Sequence, residues 1–332
     1  MPDLSGVASF QWRDHMVRQL DDLGRWVKGR LVVEPEPERE LIPAERYLDP
    51  DYLYDAVIIA QFIDEAPSPP LPKASGNGDR AVPDLRVAAS RFTRQYASAI
   101  SAVALAGLAR GVGIDVSLSR CTMMLRYNVP IVVMIDTSDQ EILHCAERPT
   151  TWPAGGPAVD SLGELRRYVC RKLYSENLEP IFARLLDITN VSPKLLWANA
   201  AEWVGMVSDA AEEYFTAADA SPFIADRQAL LEPEELPGLP GPNPLRGQLD
   251  WVPTGRDEYP QEVQTRRICC INYQLESRKG RLCQNCSFLP LDDRVALIEE
   301  RHDVNMGVPG GGAERRSIDV GLAKLEYVRK SG

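Results

Sequence analysis

The sequence predicts an α+β fold in which a helix-rich body packs on a small, mainly antiparallel sheet, with a cysteine-rich segment towards the C-terminus. Three observations support this fold class: long stretches with helix start signals, short β-branched runs without helical spacing, and a proline-rich break before four clustered cysteines. We therefore divide the chain into an N-terminal helical region with a flexible linker (1–83), a helical and β body (84–248), a cysteine segment (249–290) and a C-terminal extension (291–332).

The first two helices are predicted on either side of the linker. Asp49 followed by Pro50 supplies an N-cap and a first-turn proline. The stretch 67–83 contains Pro-Ser-Pro-Pro and Gly-Asn-Gly without periodicity, so we expect a flexible connection there. A long helix then starts near Asp84 and ends at Gly111, and we expect its Ala-rich second half to be buried.

The body continues with strands and further helices. The β-branched, apolar runs Val116–Arg126 and Ile131–Ile135 predict a pair of strands. Ser161 and Glu164 form a capping-box pattern, and a Ser-Pro pair at 192–193 gives a second helix start. The middle of the chain is therefore predicted to be mainly helical.

The region before the cysteines is predicted to change from helices to a loop and then to strands. Prolines and glycines between Pro233 and Pro253 break all periodicity and predict a long loop or a domain boundary. Residues Leu249–Leu275 are then expected to contribute strands to the sheet.

Composition excludes several classes of protein. A net charge of -11 argues against a general nucleic-acid binder, which needs Lys and Arg to neutralise phosphates. The start of the chain does not resemble a secretory signal, and the longest apolar stretch, Tyr96–Ala109, is too short to span a bilayer. We expect a cytoplasmic protein without a transmembrane segment; a peripheral position at the inner membrane is compatible with this.

The seven cysteines are unevenly spread, with three scattered upstream at 121, 145 and 170. The other four have the pattern Cys-Cys-x12-Cys-x2-Cys and are the candidate metal ligands: Cys269, Cys270, Cys283 and Cys286. In a reducing cytosol such a cluster favours a metal site over a disulfide framework. A Cys-x2-Cys turn can present both sulfurs to one ion.

The adjacent pair Cys269 and Cys270 bears on which metal binds. Neighbouring side chains in a regular strand point to opposite faces, so the pair needs a backbone bend or ligates two different metal atoms. This favours a [2Fe-2S] cluster over a single zinc ion, although a zinc site and a metal-free site stay open as alternatives.

Basic residues surround the four cysteines in an otherwise acidic chain. They are Arg266, Arg267, Arg278, Lys279 and Arg281, against the single carboxylate of Glu276. Nearby cations favour the reduced, more negative form of a cluster and can attract an anionic substrate. Simple solvation of a basic loop is the alternative interpretation.

Several motifs together resemble those of the FhuF-type ferric-siderophore reductases. Two of the matching segments contain the cysteines: Arg266–Cys270 and Cys283–Cys286. A third is the Trp-x-Asn helix start within Lys194–Asn199, which follows the proline-containing segment Leu178–Ile181. Asp115–Ser117 is a weaker match. The resemblance spans about residues 84–290, but the gap between the cysteine pairs is twelve residues where the family commonly has ten, and the chain continues beyond the family's usual end.

The resemblance implies one-electron reduction of a ferric siderophore, of which the hydroxamate type is one candidate, through a [2Fe-2S] cluster held by the four cysteines. Oxygen chelators bind Fe(III) far more tightly than Fe(II), so one electron loosens the metal for release in the cytoplasm. Because no Gly-x-Gly-x-x-Gly motif is present, the electron is expected from an external ferredoxin, a flavoprotein or a small reductant.

The candidate substrate contacts combine the basic residues with the helix motif. They are Arg266, Arg267, Lys279, Arg281, Trp197 and Asn199. For the last two, core packing and satisfaction of backbone groups are equally weighted alternatives. For the whole protein, the alternative functions are a zinc-stabilised binding or scaffold protein related to siderophore assembly, and an iron-sulfur redox sensor.

Overall fold

A computed structural model describes most of the body and the cysteine segment. The described residues are 18, 40–61, 84–126, 129–135, 142–148, 156–255, 262–275, 278 and 280–297. The predicted linker at 67–83, Lys279 and the extension beyond residue 297 lie outside the described residues. The predictions made for them stay predictions.

Helices dominate the described residues, as the sequence predicts. They are α1 (Pro50–Ala60), α2 (Leu85–Ala109), α3 (Leu162–Cys170), α4 (Glu179–Ile188), α5 (Pro193–Tyr214) and α6 (Ala217–Leu231). A π-helical stretch, Arg171–Leu178, joins α3 to α4 without a break. None of these helices is both long and apolar enough to cross a membrane.

The predicted helix starts are confirmed by local capping bonds. The Asp49 carboxylate accepts hydrogen bonds from the N–H groups of Asp51 and Tyr52, which satisfies two donors at the start of α1. The Asp84 carboxylate caps α2 in the same way, and Ser161 Oγ accepts from Glu164 N at 3.2 Å. These bonds join neighbouring residues, so sequence patterns are sufficient to predict them.

Helix α2 is the central element of the fold. Nearly all of its residues are buried, because α1, α5, α6 and the β-sheet regions pack around it. Its many Ala and Ser side chains allow the neighbouring elements to approach closely. The prediction of a long, buried helix is therefore confirmed.

The strands form three small sheets instead of the single sheet that was expected. In the first, β1 (Leu41–Pro43), β3 (Cys121–Arg126) and β4 (Val129–Ile135) are antiparallel and pack on α2. In the second, β2 (Val112–Gly113), β5 (Leu143–Cys145) and β6 (Ala158–Val159) pack on α3. The strands of the second sheet are two or three residues long, and β2 packs on both α2 and α3.

The strand predicted from Val116 begins later, at Cys121. The Asp115 carboxylate accepts the N–H of Ser117 at 3.0 Å, and a 3₁₀ turn follows at Leu118–Arg120. This local side-chain bond bends the chain out of the extended conformation.

The third sheet is a hairpin that leads into the cysteine segment. Strands β7 (Leu249–Pro253) and β8 (Glu262–Arg266) are antiparallel, with Trp251 opposite Gln264. The prediction of strands in this region is confirmed. Val263 packs against Val295 of the helical residues 291–297, whereas Arg266 on the other face of β8 reaches α5.

The three upstream cysteines are core residues. Cys121, Cys145 and Cys170 are buried, and none of the seven cysteines forms a disulfide. Burial raises the pKa of Cys170 to about 12, with a further contribution from the nearby Asp226 carboxylate. Burial likewise raises the pKa of the Cys121 thiol.

We predict that Cys170 resists alkylation in the native protein. A pKa near 12 leaves on the order of one thiolate in 10⁴ at pH 8, and the thiolate is the nucleophile. Iodoacetamide labelling followed by peptide mass spectrometry should show no adduct at Cys170 until guanidinium chloride unfolds the chain. Labelling of Cys170 in the native protein at the rate of a free thiol would contradict this placement.

Candidate metal centre

The chain bends sharply directly after the adjacent cysteine pair. Ile271 lies at φ 53°, in the left-handed region, and it is the one non-glycine residue of the described part of the chain with a positive φ. Such a conformation costs a β-branched residue on the order of 1–3 kcal/mol. The bend brings the Ile271 N–H to 3.3 Å from Cys269 Sγ, so backbone strain coincides with a backbone donor aimed at a sulfur.

The four predicted ligands lie together in the structure. Cys270 Sγ is 3.5 Å from Cys283 Sγ, and the Cys269 thiol makes hydrogen bonds with both Cys270 and Cys286. These contacts connect the four sulfurs in the order 286, 269, 270, 283, and we call this connected set the thiol row. Among the described residues, no group of three or more His, Cys, Asp or Glu has its donor atoms arranged so that they could hold a metal ion.

The thiols differ in acidity along the row. Hydrogen bonds with Cys269 and Cys283 lower the pKa of Cys270 well below its ordinary value, and the charges of Arg94 and Arg266 add to this effect. A hydrogen bond with Cys269 lowers the pKa of Cys286. The same hydrogen bonds raise the pKa of Cys269 and Cys283, so the protein favours the thiolate at two positions and the thiol at the other two.

A cation from α2 contacts the thiol row directly. The Arg94 guanidinium lies 3.8 Å from Cys270 Sγ and 3.6 Å from Cys283 Sγ. Its other terminal nitrogen donates to Glu202 Oε1 at 2.8 Å. Sequence reasoning missed Arg94, because it is separated from the cysteines by more than 170 positions and carries no motif.

Glu202 joins the elements that surround the centre. Its buried carboxylate accepts hydrogen bonds from Arg94, from Arg266 on β8 and, at 2.7 Å, from Asn285 between the last two cysteines. Both oxygens are therefore paired with donors, as a buried charge requires. The resulting arrangement, which we call the Glu202 network, links α2, α5, β8 and the second cysteine loop.

Arg266 and Asn199, two of the expected substrate contacts, lie in the interior of the protein. Arg266 is 1% exposed, bonds to Glu202, and donates to Asn199 Oδ1 at 2.7 Å and to the carbonyl of Ile268 at 2.9 Å. The Asn199 amide in turn donates to the Ser90 carbonyl at 3.2 Å. Neither side chain has free surface for a ligand, so both position the first cysteine loop.

The other predicted substrate contacts are spread over different surroundings. Arg267 is exposed and forms an ion pair with Asp250 at 2.6 Å, and Arg281 Nε donates to a carbonyl of its own loop. Trp197 packs against the rings of Tyr174 and Phe182, in agreement with the packing alternative. The structure does not bring these residues together as one binding surface.

A second arginine that sequence reasoning missed supports the C-terminal cysteine loop. Arg294 donates to the carbonyls of Cys286 at 2.7 Å, Leu289 at 2.9 Å and Gln284 at 3.1 Å. It is 3% exposed, so these bonds form in a dry environment, where they are strong. Arg294 lies in the helical residues 291–297, so the beginning of the extension supports the centre.

A cleft opens beside one end of the thiol row. It has a volume of about 950 Å³ and lies between α5, the β7–β8 hairpin and the Cys283–Asn285 turn. Its lining includes Cys283, Trp203, Trp251 and Gln264. This volume is at the upper end of the range of small-molecule sites.

Comparison with known families agrees with the motifs. The family described as "Ferric iron reductase FhuF-like transporter" matches residues 90–252. Residues 90–252, just under half of the chain, belong to the FhuF-like family. The match contains most of α2 and all of α5 but ends before Cys269, so the resemblance drawn from the sequence is confirmed for the body, and the cysteine motif lies beyond the matched residues.

Other comparisons are more distant. No curated protein matches this FhuF-like chain. Among solved structures, the aerobactin synthetase IucC from a hypervirulent pathotype of Klebsiella pneumoniae aligns with 14% identity and a TM-score of 0.44. The alignment covers 63% of this chain and 36% of the synthetase.

We predict that Glu202→Gln destabilises the protein by about 3 kcal/mol, because it leaves two buried guanidinium groups without a counter-charge. Glu212→Gln on the same helix is the matched control. Its carboxylate is partly exposed and 3.7 Å from Arg227, so its loss should change stability by less than about 0.5 kcal/mol.

The free energy of unfolding of both variants is measured by urea unfolding, followed by circular dichroism. Equal stability of Glu202→Gln and Glu212→Gln would show that the Glu202 network does not hold the fold together.

Proposed function

We propose that this protein reduces a ferric siderophore by one electron, with a [2Fe-2S] cluster held by Cys269, Cys270, Cys283 and Cys286. The observation that carries the proposal is the thiol row beside the Arg94 guanidinium, in a chain whose residues 90–252 belong to the FhuF-like family. Family membership supports the reaction class, and the donor set supports the cofactor.

The residues present fit a thiolate-ligated two-iron group. Four cysteine sulfurs are the usual ligand set of such a group, and the two halves of the thiol row can serve different metal atoms. When bound, the group supplies reversible one-electron transfer. The fit rests on the donor chemistry and on the contacts among the thiols.

The protein's own residues prepare the site in three ways. Arg94 places a positive charge against two sulfurs, which stabilises negative charge on them. The Glu202 network fixes that guanidinium in place. Cys270 and Cys286 are 3% exposed, which keeps water from most of the centre, whereas Cys269 and Cys283 keep some exposed surface through which an electron can enter or leave.

The reaction balances with an external one-electron donor. An electron carrier of the ferredoxin or flavoprotein class gives up one electron, and the Fe(III) of the chelate gains it and becomes Fe(II). The chelating oxygens then hold the metal far more weakly, so a competing ligand can remove it. We place this reaction in the cytoplasm, where thiols persist without forming disulfides.

We predict that replacing any one of the four cysteines by serine abolishes the visible sulfur-to-iron absorption of the anaerobically purified protein. Cys145→Ala, a change in the core strand β5, should leave the spectrum intact. In the wild-type protein, each electron equivalent delivered should yield one Fe(II), trapped by ferrozine, when ferric desferrioxamine B is added.

Two results would refute this function. Stoichiometric zinc in a colourless protein that stays colourless after reconstitution with iron and sulfide would exclude the cluster. A protein that carries the cluster but yields no Fe(II) from the chelate under these conditions would exclude the reductase activity.

A further inference from the structure

A buried amide in the cleft has no partner within the described protein. Gln264 on β8 is 7% exposed, and neither its Oε1 nor its Nε2 finds a hydrogen-bond partner among the residues that the structure describes. An unsatisfied buried polar group costs about 1–3 kcal/mol, so its presence needs an explanation. Gln264 lines the cleft, where a ligand can supply the missing bonds.

Aromatic side chains and a cysteine lie around Gln264 in the cleft. Gln264 pairs with Trp251 across the hairpin, so the indole and the amide share one face of the sheet. Trp203 from α5 and Cys283 from the second cysteine loop line the same cleft. The cleft thus combines two indole rings, an amide that has no partner among the described residues, and one cysteine of the thiol row.

The absence of a side chain at Gly205 leaves room for the Gln264 amide. A Cβ at Gly205 on α5 would collide with Gln264 Oε1 and would lie 2.7 Å from its Cδ. Glycine in the middle of a helix costs roughly 1 kcal/mol relative to alanine. Here the missing side chain leaves the space on α5 in which the Gln264 amide lies.

We propose that this cleft binds the iron chelate and that Gln264 is its specificity-determining residue, donating from Nε2 to a carbonyl and accepting at Oε1 from an N–H of an amide-bearing chelate. This inference rests on the proposed function for the identity of the ligand. Because Cys283 lines the cleft, a bound chelate lies next to one end of the thiol row, which gives the electron a short path.

The test is binding of a chelate that cannot be reduced. The Ga(III) complex of desferrioxamine B contains amide groups, and gallium has no accessible divalent state in water, so binding is measured apart from electron transfer. Isothermal titration calorimetry of the metal-loaded protein should show about tenfold weaker binding for Gln264→Leu than for the wild type. Gln228→Leu, on the exposed face of α6, should bind like the wild type.

Stability separates a binding role from a structural one. Because the Gln264 amide makes no bond within the described protein, Gln264→Leu should keep or raise the thermal midpoint while binding weakens. Gly205→Ala should also keep the fold, through better helix propensity, yet weaken binding because its Cβ displaces the amide.

Two results would overturn the inference. One is equal affinity of the wild type and Gln264→Leu for the gallium chelate, including the absence of binding by both. The other is a fall in thermal midpoint that accompanies weaker binding, which would make Gln264 structural. Binding of gallium desferrioxamine B by a protein that fails to reduce the ferric complex would refute the proposed function and leave the binding site standing.

Discussion

The buried carboxylate of Glu202 is the interaction on which the site depends. It lies between the guanidinium groups of Arg94 and Arg266 and also accepts from Asn285, so α2, α5, β8 and the second cysteine loop meet at one side chain. Each partner of this carboxylate keeps its position because the other partners fix the carboxylate in place. Arg94 in particular can contact two sulfurs because its other nitrogen is fixed by Glu202.

The sequence correctly predicts the features that depend on contacts between residues close together in the chain. Helix starts at Asp49, Asp84 and Ser161 follow from side-chain bonds over two or three positions, and they lie where the sequence predicts them. The convergence of the cysteines was also expected, and a backbone bend lies at Ile271, directly after the adjacent pair. The division into three small sheets was not predictable, because it depends on how short strands far apart in the chain pair with one another and pack on the helices.

The parts of the site that the sequence did not predict depend on contacts between segments far apart in the chain. Arg94 and Glu202 carry no local motif, and their pairing depends on how α2 packs on α5. The burial of Arg266 was not expected for a different reason, since a run of basic residues suggested a solvated surface. The period of two along β8 was the available signal: Arg266 shares the inward face with Gln264, while Arg267 beyond the strand pairs with exposed Asp250.

The thiol row has two unlike ends, and this has a kinetic consequence. Cys283 borders the cleft, whereas Cys286 at the opposite end neighbours Phe288, whose ring is 42% exposed and contacts Tyr273. On the proposed function, a chelate in the cleft leaves the Cys286 side uncovered, because Phe288 does not line the cleft. This arrangement permits turnover through a ternary complex, in which an electron carrier and the chelate are bound to the protein together.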